Sequence, residues 1–80
     1  MVPTSEIINS SHLVFVNPTM PGIYRKGTLG KFYYVDKNGD RIKNEADLER
    51  IKKLVLPPAW KDVWISPKKN GYLQATGIDA

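Results

Sequence analysis

The sequence contains Ile51-Lys-Lys-Leu-Val-Leu-Pro-Pro-Ala-Trp60, Lys61-Asp-Val-Trp-Ile-Ser-Pro67 and Gly71-Tyr-Leu-Gln-Ala-Thr-Gly-Ile-Asp-Ala80 in close succession. The paired prolines after Leu56 cannot continue a helix, so the first part predicts the end of one. The second part alternates, with Val63 and Ile65 on one face of a strand and Trp64 on the other. Turn residues 67–71 and a further extended stretch at 72–76 follow. The whole stretch therefore predicts a helix, a proline stop and a β-hairpin.

The segment before the prolines has the pattern of an amphipathic helix over about residues 45–55. Asn44 is a favourable N-cap, and Asp47 stands at the third helical position. Acidic residues crowd the start and lysines the end, as the helix dipole prefers. Four apolar residues at helical spacing form the face that we expect to lie on a sheet: Leu48, Ile51, Leu54 and Val55.

Asn38-Gly39 predicts a tight hairpin immediately before the helix. This pair suits a two-residue type I′ turn, which requires positive φ at both central positions. The expected register sets Asp36 opposite Arg41 and Val35 opposite Ile42.

The remaining segments complete a small sheet. Residues 1–11 are expected to be a flexible segment, loose or briefly helical after Ser5. Residues 12–16 predict a first strand, residues 23–26 a short extended piece, and residues 31–36 a clear strand. The predicted fold class is α+β: an antiparallel sheet of about five short strands with one main helix at about 45–55.

The two tryptophans are expected to occupy different places. Trp60, at the junction of helix and strand, should be wedged between the helix and the sheet. Trp64 should lie on the opposite face of the sheet and be the more accessible of the two.

Composition narrows the function classes. Eighty residues without cysteine, carrying a net charge of +4, form one small domain or a piece of a larger protein. The sequence has no stretch typical of a signal peptide or a transmembrane helix, so a cytosolic protein is the expectation. His12, the only histidine, has no neighbouring nucleophile pattern, and scattered carboxylates give no metal-ligand spacing. We therefore expect no catalytic residue, metal or cofactor in this chain.

Aromatic and basic side chains are interleaved along the sequence. Tyr24 and residues 32–34 stand beside basic residues, and two tryptophans flank Lys61. Part of this aromatic set must form the core of so thin a sheet. The rest could offer rings and cations to a nucleic acid, or the face could bind a protein segment, and composition leaves both open.

Seven motifs follow one another along the sequence: Gly22-Ile-Tyr-Arg-Lys26, Gly30-Lys-Phe-x-Tyr34, Asp36-x-x-Gly39, Leu48-x-Arg-Ile51, Leu56-Pro-Pro-Ala-Trp60, Asp62-Val-Trp-Ile65 and Gly71-x-Leu-Gln-Ala-Thr-Gly-x-Asp-Ala80. In this order they resemble the amino-terminal domain of bacterial, poxvirus-like type IB DNA topoisomerases. The resemblance runs from about Leu13 to the last residue. Tyr72 and Ile78 stand where this family often has histidine and arginine.

The resemblance implies that residues 12–80 are a DNA-clamp domain of a longer chain. In that family a separate carboxy-terminal domain holds the tyrosine nucleophile and relaxes supercoils through a 3′-phosphotyrosyl link, without ATP or an essential metal. Relatives continue past Asp79-Ala80 into a basic, tyrosine-containing segment. The implied setting is the bacterial cytoplasm, in association with the nucleoid.

The expected partners are duplex DNA and the carboxy-terminal catalytic domain of the same parent chain. The main rival hypothesis is a non-catalytic β-sheet module that binds a protein or RNA segment through its aromatic and basic face. The cations predicted to contact DNA are Arg25, Lys26, Lys31, Lys61, Lys68 and Lys69.

Overall fold

A computed structural model describes residues 4–8 and 17–79. It contains a five-stranded antiparallel sheet with the strand order β1-β5-β4-β2-β3, and one helix follows β3 in the described part of the chain. The predicted α+β class is confirmed. The elements are β1 (Thr4–Ile8), β2 (Ile23–Lys26), β3 (Tyr33–Val35), α1 (Glu45–Leu54), β4 (Lys61–Ile65) and β5 (Leu73–Ile78).

The alternation of β4 divides the buried side chains between two faces of the sheet. Val63 and Ile65 pack with Ile51 of α1, together with residues of β2 and β5, to form the main core. Trp64 points to the opposite face and packs with Leu73, where Met20 and Tyr24 join them. The predicted helix-on-sheet arrangement is confirmed, since Ile51 is only 3% exposed against the sheet residues. No helix in the described ranges is long and apolar enough to cross a bilayer.

The helix begins as predicted and ends differently. The side chain of Asn44 accepts a hydrogen bond from the backbone amide of Asp47 (3.1 Å), which confirms the cap. At the other end Val55 adopts the left-handed conformation (φ 52°, ψ 55°) and is 80% exposed. Its expected place on the core face is therefore wrong, because the helix ends at Leu54 and turns the Val55 side chain outward.

Replacing Val55 by glycine should stabilise the domain. A β-branched residue in the left-handed region has its Cβ close to the carbonyl oxygen, and glycine relieves this at some cost in unfolded-state entropy. We expect the free energy of unfolding to rise by about 1 kcal/mol, measured by urea titration. Lys53→Gly, inside the last helical turn, is the control and should destabilise by a similar amount. A loss of stability in Val55→Gly would contradict the left-handed end.

The hairpin between β3 and α1 exists, but its predicted type I′ turn and register are wrong. Gly39 has φ 86°, as expected, whereas Asn38 is not among the residues with positive φ. The Gly39 amide donates to the Asp36 carbonyl, and the Asp36 amide donates to the Asp40 carbonyl (2.9 Å). This is the three-residue pattern of a tight turn followed by a left-handed glycine. One extra loop residue shifts the pairing, so that Val35 faces Arg41 instead of Ile42.

The Asp36 carboxylate helps to select this longer turn. Its Oδ1 accepts hydrogen bonds from the amides of Asn38 (2.8 Å) and Asp40 (3.0 Å). An aspartate at the start of a turn commonly accepts such bonds from the residues that follow it. The expected pairing of Asp36 with Arg41 is therefore wrong, and the Asp36 carboxylate bonds to backbone amides instead.

The amino-terminal residues also differ from the prediction. Thr4–Ile8 forms β1 and pairs with β5 at the edge of the sheet, with Thr4 opposite Ile78 and Ile7 opposite Ala75. Ile7 packs against the main core. The expected brief helix after Ser5 is therefore wrong for these residues, which are extended and paired within the sheet. The strand predicted at residues 12–16 lies outside the described residues.

Trp60 and Trp64 occupy the predicted faces, but their order of accessibility is reversed. Trp60 packs against the α1 side of the sheet and remains half-buried. Trp64 lies on the other face and is only 3% exposed. The reversal arises because the second face has its own apolar cluster, whereas one side of Trp60 borders an exposed turn at residues 57–59.

Candidate nucleic-acid interface

The six cations predicted to contact DNA fall into two groups at opposite ends of β4. Lys61 is the first residue of β4, and the end of β2 that carries Lys26 runs antiparallel beside it. Lys68 and Lys69 follow the other end of β4. The five residues of β4 separate the two groups by on the order of 10 Å, because the left-handed Asp62 makes the strand shorter than a fully extended one. The structure does not bring all six cations into one patch.

The first group lies around the connection between β2 and β3. Lys26 ends β2 opposite Tyr33, and Lys31 follows a turn closed by the Lys31 amide donating to the Thr28 carbonyl (2.8 Å). Both lysines are exposed. Asp62, left-handed at φ 49°, lines a cleft together with Lys26. Its carboxylate reduces the positive potential at this end of the sheet.

Arg25 differs from the five lysines because its guanidinium has partners inside the domain. Its Nη2 donates to the carbonyl oxygens of Pro57 (3.1 Å) and Trp60 (2.8 Å). The same guanidinium lies over the Phe32 ring, 4.1 Å from its centroid. The turn at residues 57–60, itself closed by the Trp60 amide donating to the Pro57 carbonyl (3.2 Å), is thereby attached to β2. Arg25, predicted only as a DNA contact, thus has a structural role within the domain.

The second group lies on the turn that joins β4 to β5, here called the lysine turn (residues 66–72). The Ser66 hydroxyl accepts from the Lys68 amide (3.0 Å) and donates to the Lys68 carbonyl (2.9 Å). The Gly71 amide donates to the same carbonyl (3.0 Å). Ser66 is fully buried, whereas Lys68 and Lys69 are exposed. A buried polar residue therefore fixes the backbone from which two exposed lysines project.

Gln74 adds a second set of bonds to the lysine turn. Its side-chain amide nitrogen donates to the Gly71 carbonyl (2.6 Å) and lies 3.4 Å from the Lys69 carbonyl. Its Oε1 accepts from Nη1 of Arg50 (2.9 Å), and Nη2 of Arg50 donates to the Ser66 carbonyl (2.6 Å). The chain of contacts runs from α1 through Gln74 to the turn.

Burial alters the electrostatics of Arg50. Desolvation lowers the pKa of its guanidinium below the ordinary value, and the charge of Asp47, one helical turn earlier, partly opposes this by raising it. Arginine is not deprotonated in proteins, so the positive charge stays in place and strengthens the bonds to Gln74 and Ser66. No described buried side-chain nitrogen or oxygen lacks a partner, so the network is complete.

The contacts of Arg50 and Gln74 were not predicted, and Arg41 has a partner other than the expected Asp36. Asp47, Arg50, Ile51 and Leu54 lie at helical spacing, so Arg50 belongs to the stripe that faces the sheet. A cation at that position was the signal for a buried polar partner. Arg41 lies over the Tyr33 ring at 4.7 Å, a contact that followed from the unexpected hairpin register.

The residues that the structure describes offer no metal-binding geometry. They contain no group of three or more His, Cys, Asp or Glu side chains close enough to hold an ion.

A family model of the bacterial DNA topoisomerase IB N-terminal domain matches residues 31–79, which is more than half of the chain. The chain belongs to this family. DNA topoisomerase 1B of Acanthamoeba polyphaga mimivirus is 44% identical to it over 62 residues, covering 76% of this chain and 18% of the viral protein. The topoisomerase IB domain therefore spans less than a fifth of that relative's length. No solved structure matches it.

The motifs that carry the family resemblance contact one another in the structure. Arg25 of the first motif bonds to the carbonyls of the Pro-Pro-Ala-Trp turn. Gly22 lies under the Trp64 indole, and Gly77 lies under the Trp60 ring. Arg50 bonds to Gln74. In this topoisomerase IB domain the motifs therefore form a connected set of packing and hydrogen-bond contacts.

Proposed function

We propose that this topoisomerase IB domain is a DNA-binding clamp. Family membership is the observation that carries the proposal, since the matched family and the viral relative are both named as DNA topoisomerases IB. Exposed lysines at both ends of β4 support it, because lysines neutralise phosphates of the DNA backbone.

Two separated groups suit a duplex better than a single phosphate. The major groove is about 12 Å wide, and two groups at opposite ends of β4 are far enough apart to contact phosphates on both of its sides. Lys26, Lys31 and Lys61 would contact one side of a groove, and Lys68 and Lys69 the other. Arg25 would act within the domain by holding the turn at residues 57–60.

Catalysis, in this proposal, takes place in a separate carboxy-terminal domain of the parent protein. That domain would supply the tyrosine for a 3′-phosphotyrosyl intermediate, and relaxation would need neither ATP nor a cofactor. The viral relative supports this division, because the chain corresponds to only 18% of its length. We expect no plasmid relaxation by this chain alone.

A salt titration of duplex DNA binding tests the clamp. The logarithm of affinity should fall linearly with the logarithm of salt concentration, with a slope of about −0.9 for each phosphate contacted. Lys68→Ala/Lys69→Ala should weaken binding and make the slope shallower by about 0.9 for each lysine that contacts a phosphate. Lys43→Ala/Lys52→Ala is the matched control, because it removes two exposed lysines that line no cleft with the lysine turn.

The outcomes separate the clamp from its rival. Equal losses in the two double variants would indicate attraction by net charge alone and contradict a defined DNA surface. Tighter binding to single-stranded RNA than to duplex DNA would favour the RNA-binding module. Plasmid relaxation by this chain would contradict the assignment of catalysis to another domain.

A further inference from the structure

The lysine turn is held from within the domain by buried or half-buried side chains. Ser66 and Gln74 are buried and bind the backbone of the turn from within. Arg50 binds both of them from α1, one nitrogen to the Gln74 side chain and the other to the Ser66 carbonyl. The turn therefore has a direct connection to the helix.

The geometry of this connection requires an arginine. A planar guanidinium can donate from two nitrogens in fixed directions, whereas a lysine amine is a compact point charge on a flexible stem. One nitrogen of Arg50 fixes the acceptor oxygen of Gln74, which leaves the Gln74 NH₂ group directed at the carbonyls of the turn. Arg50 thus determines which way the Gln74 amide points.

We propose that Arg50 is a positioning residue for DNA binding, which holds the lysine turn in the conformation that presents Lys68 and Lys69 to phosphates. The inference rests on the proposed function, since it assigns Arg50 a role in the same DNA surface. Preorganisation is the physical reason, because a turn that is already ordered loses less conformational freedom when it binds.

A double-mutant cycle distinguishes positioning from a direct contact or a general loss of stability. Arg50→Lys keeps the charge but cannot make both bonds, and it should lower DNA affinity about fivefold. In the Lys68→Ala/Lys69→Ala background the same substitution should change affinity by less than about twofold, because the residues it positions are gone. Arg41→Lys is the control, since Arg41 is exposed and outside the network.

Gln74→Glu provides a second variant with a different chemistry. A glutamate keeps the acceptor for Arg50 but has no NH₂ to donate to the Gly71 and Lys69 carbonyls. It should loosen the lysine turn while leaving Arg50 bound, and it should weaken DNA binding in the same non-additive way. If Arg50→Lys and Gln74→Glu both weaken DNA binding in this non-additive way, the loss of affinity arises from the lysine turn.

A readout without DNA completes the test. Hydrogen exchange of the Lys68 and Gly71 amides, which bond within the turn, should be accelerated at least tenfold in Arg50→Lys and Gln74→Glu. The Ile51 amide, in the buried part of α1, should be unchanged and show that the fold is intact. Trypsin should cleave after Lys68 or Lys69 sooner in both variants.

Failure of the proposed DNA contact and failure of the inference about Arg50 give different results. If Lys68→Ala/Lys69→Ala does not weaken DNA binding, the proposed contact at the lysine turn is overturned, and the inference with it. If that variant weakens binding but Arg50→Lys adds its full effect on top, or leaves exchange in the turn unchanged, the inference alone is overturned.

Discussion

Gly77→Ala is expected to lower the free energy of unfolding by about 3 kcal/mol, which is the upper part of the usual range for an overpacked core. A Cβ at Gly77 would lie 2.7 Å from Cδ2 and 2.9 Å from Cγ of Trp60, inside the contact distance of real Cβ atoms. Trp60 would have to move, and its carbonyl is fixed by Arg25. A domain of 80 residues has a total stability of roughly 4–12 kcal/mol, so this loss is a large fraction.

A urea titration of Gly77→Ala and Gly30→Ala measures the effect. Gly30 has no atom within 4 Å of the added Cβ and differs from Gly77 in having φ 83°. Its substitution should cost about 1 kcal/mol from backbone strain alone. In a Trp60→Ala background Gly77→Ala should cost little, because the ring that the Cβ meets is absent. An equal cost in both backgrounds would show that the ring is not the obstacle.

The local elements were predictable because their signals are local. Asn44, the acidic first turn and the prolines after Leu56 set the limits of α1 to within one residue. Alternation in β4 set the faces of Val63 and Trp64. These signals depend on residues a few positions apart, so the helix limits and strand faces can be predicted without knowledge of the tertiary structure.

The hairpin register could not be predicted for a physical reason. Asn38-Gly39 fits a type I′ turn, but the same glycine also fits the left-handed position of a three-residue loop. The choice is made by bonds from two amides to the Asp36 carboxylate. The dipeptide sequence alone does not indicate which of the two loops is the more stable. The three-residue loop shifts Arg41 by one position in the strand pairing.

The choice of six cations for the candidate site stays a prediction, and the sequence does not give their arrangement. No sequence pattern indicates that β4 separates these basic residues into two groups. Nor does a sequence indicate that Arg25 has carbonyl partners 32 and 35 residues away. Contacts over such separations follow from the strand order. The sequence of an antiparallel sheet does not specify strand order by short-range signals.

Trp64→Ala is the second substitution expected to have a large effect, with a loss of about 3–5 kcal/mol. Trp64 is 3% exposed and is the centre of the smaller cluster on the face opposite α1. Its Nε1–H donates to the Met20 carbonyl (2.9 Å), so truncation would leave this acceptor without its partner as well as opening a cavity. Trp64→Phe keeps most of the ring but not the donor, and should lose about 1–3 kcal/mol.

Urea titrations of these variants can be compared with Tyr72→Ala, which removes an aromatic ring that is 45% exposed. That control should change stability by about 0.5 kcal/mol or less. Acrylamide quenching of the single-tryptophan proteins adds an independent check, because Trp60 should be quenched more readily than Trp64. A smaller loss in Trp64→Ala than in Tyr72→Ala would refute the second cluster. If Trp64→Phe matched wild type, the indole bond to Met20 would contribute nothing, and the burial of the ring alone would hold this face together.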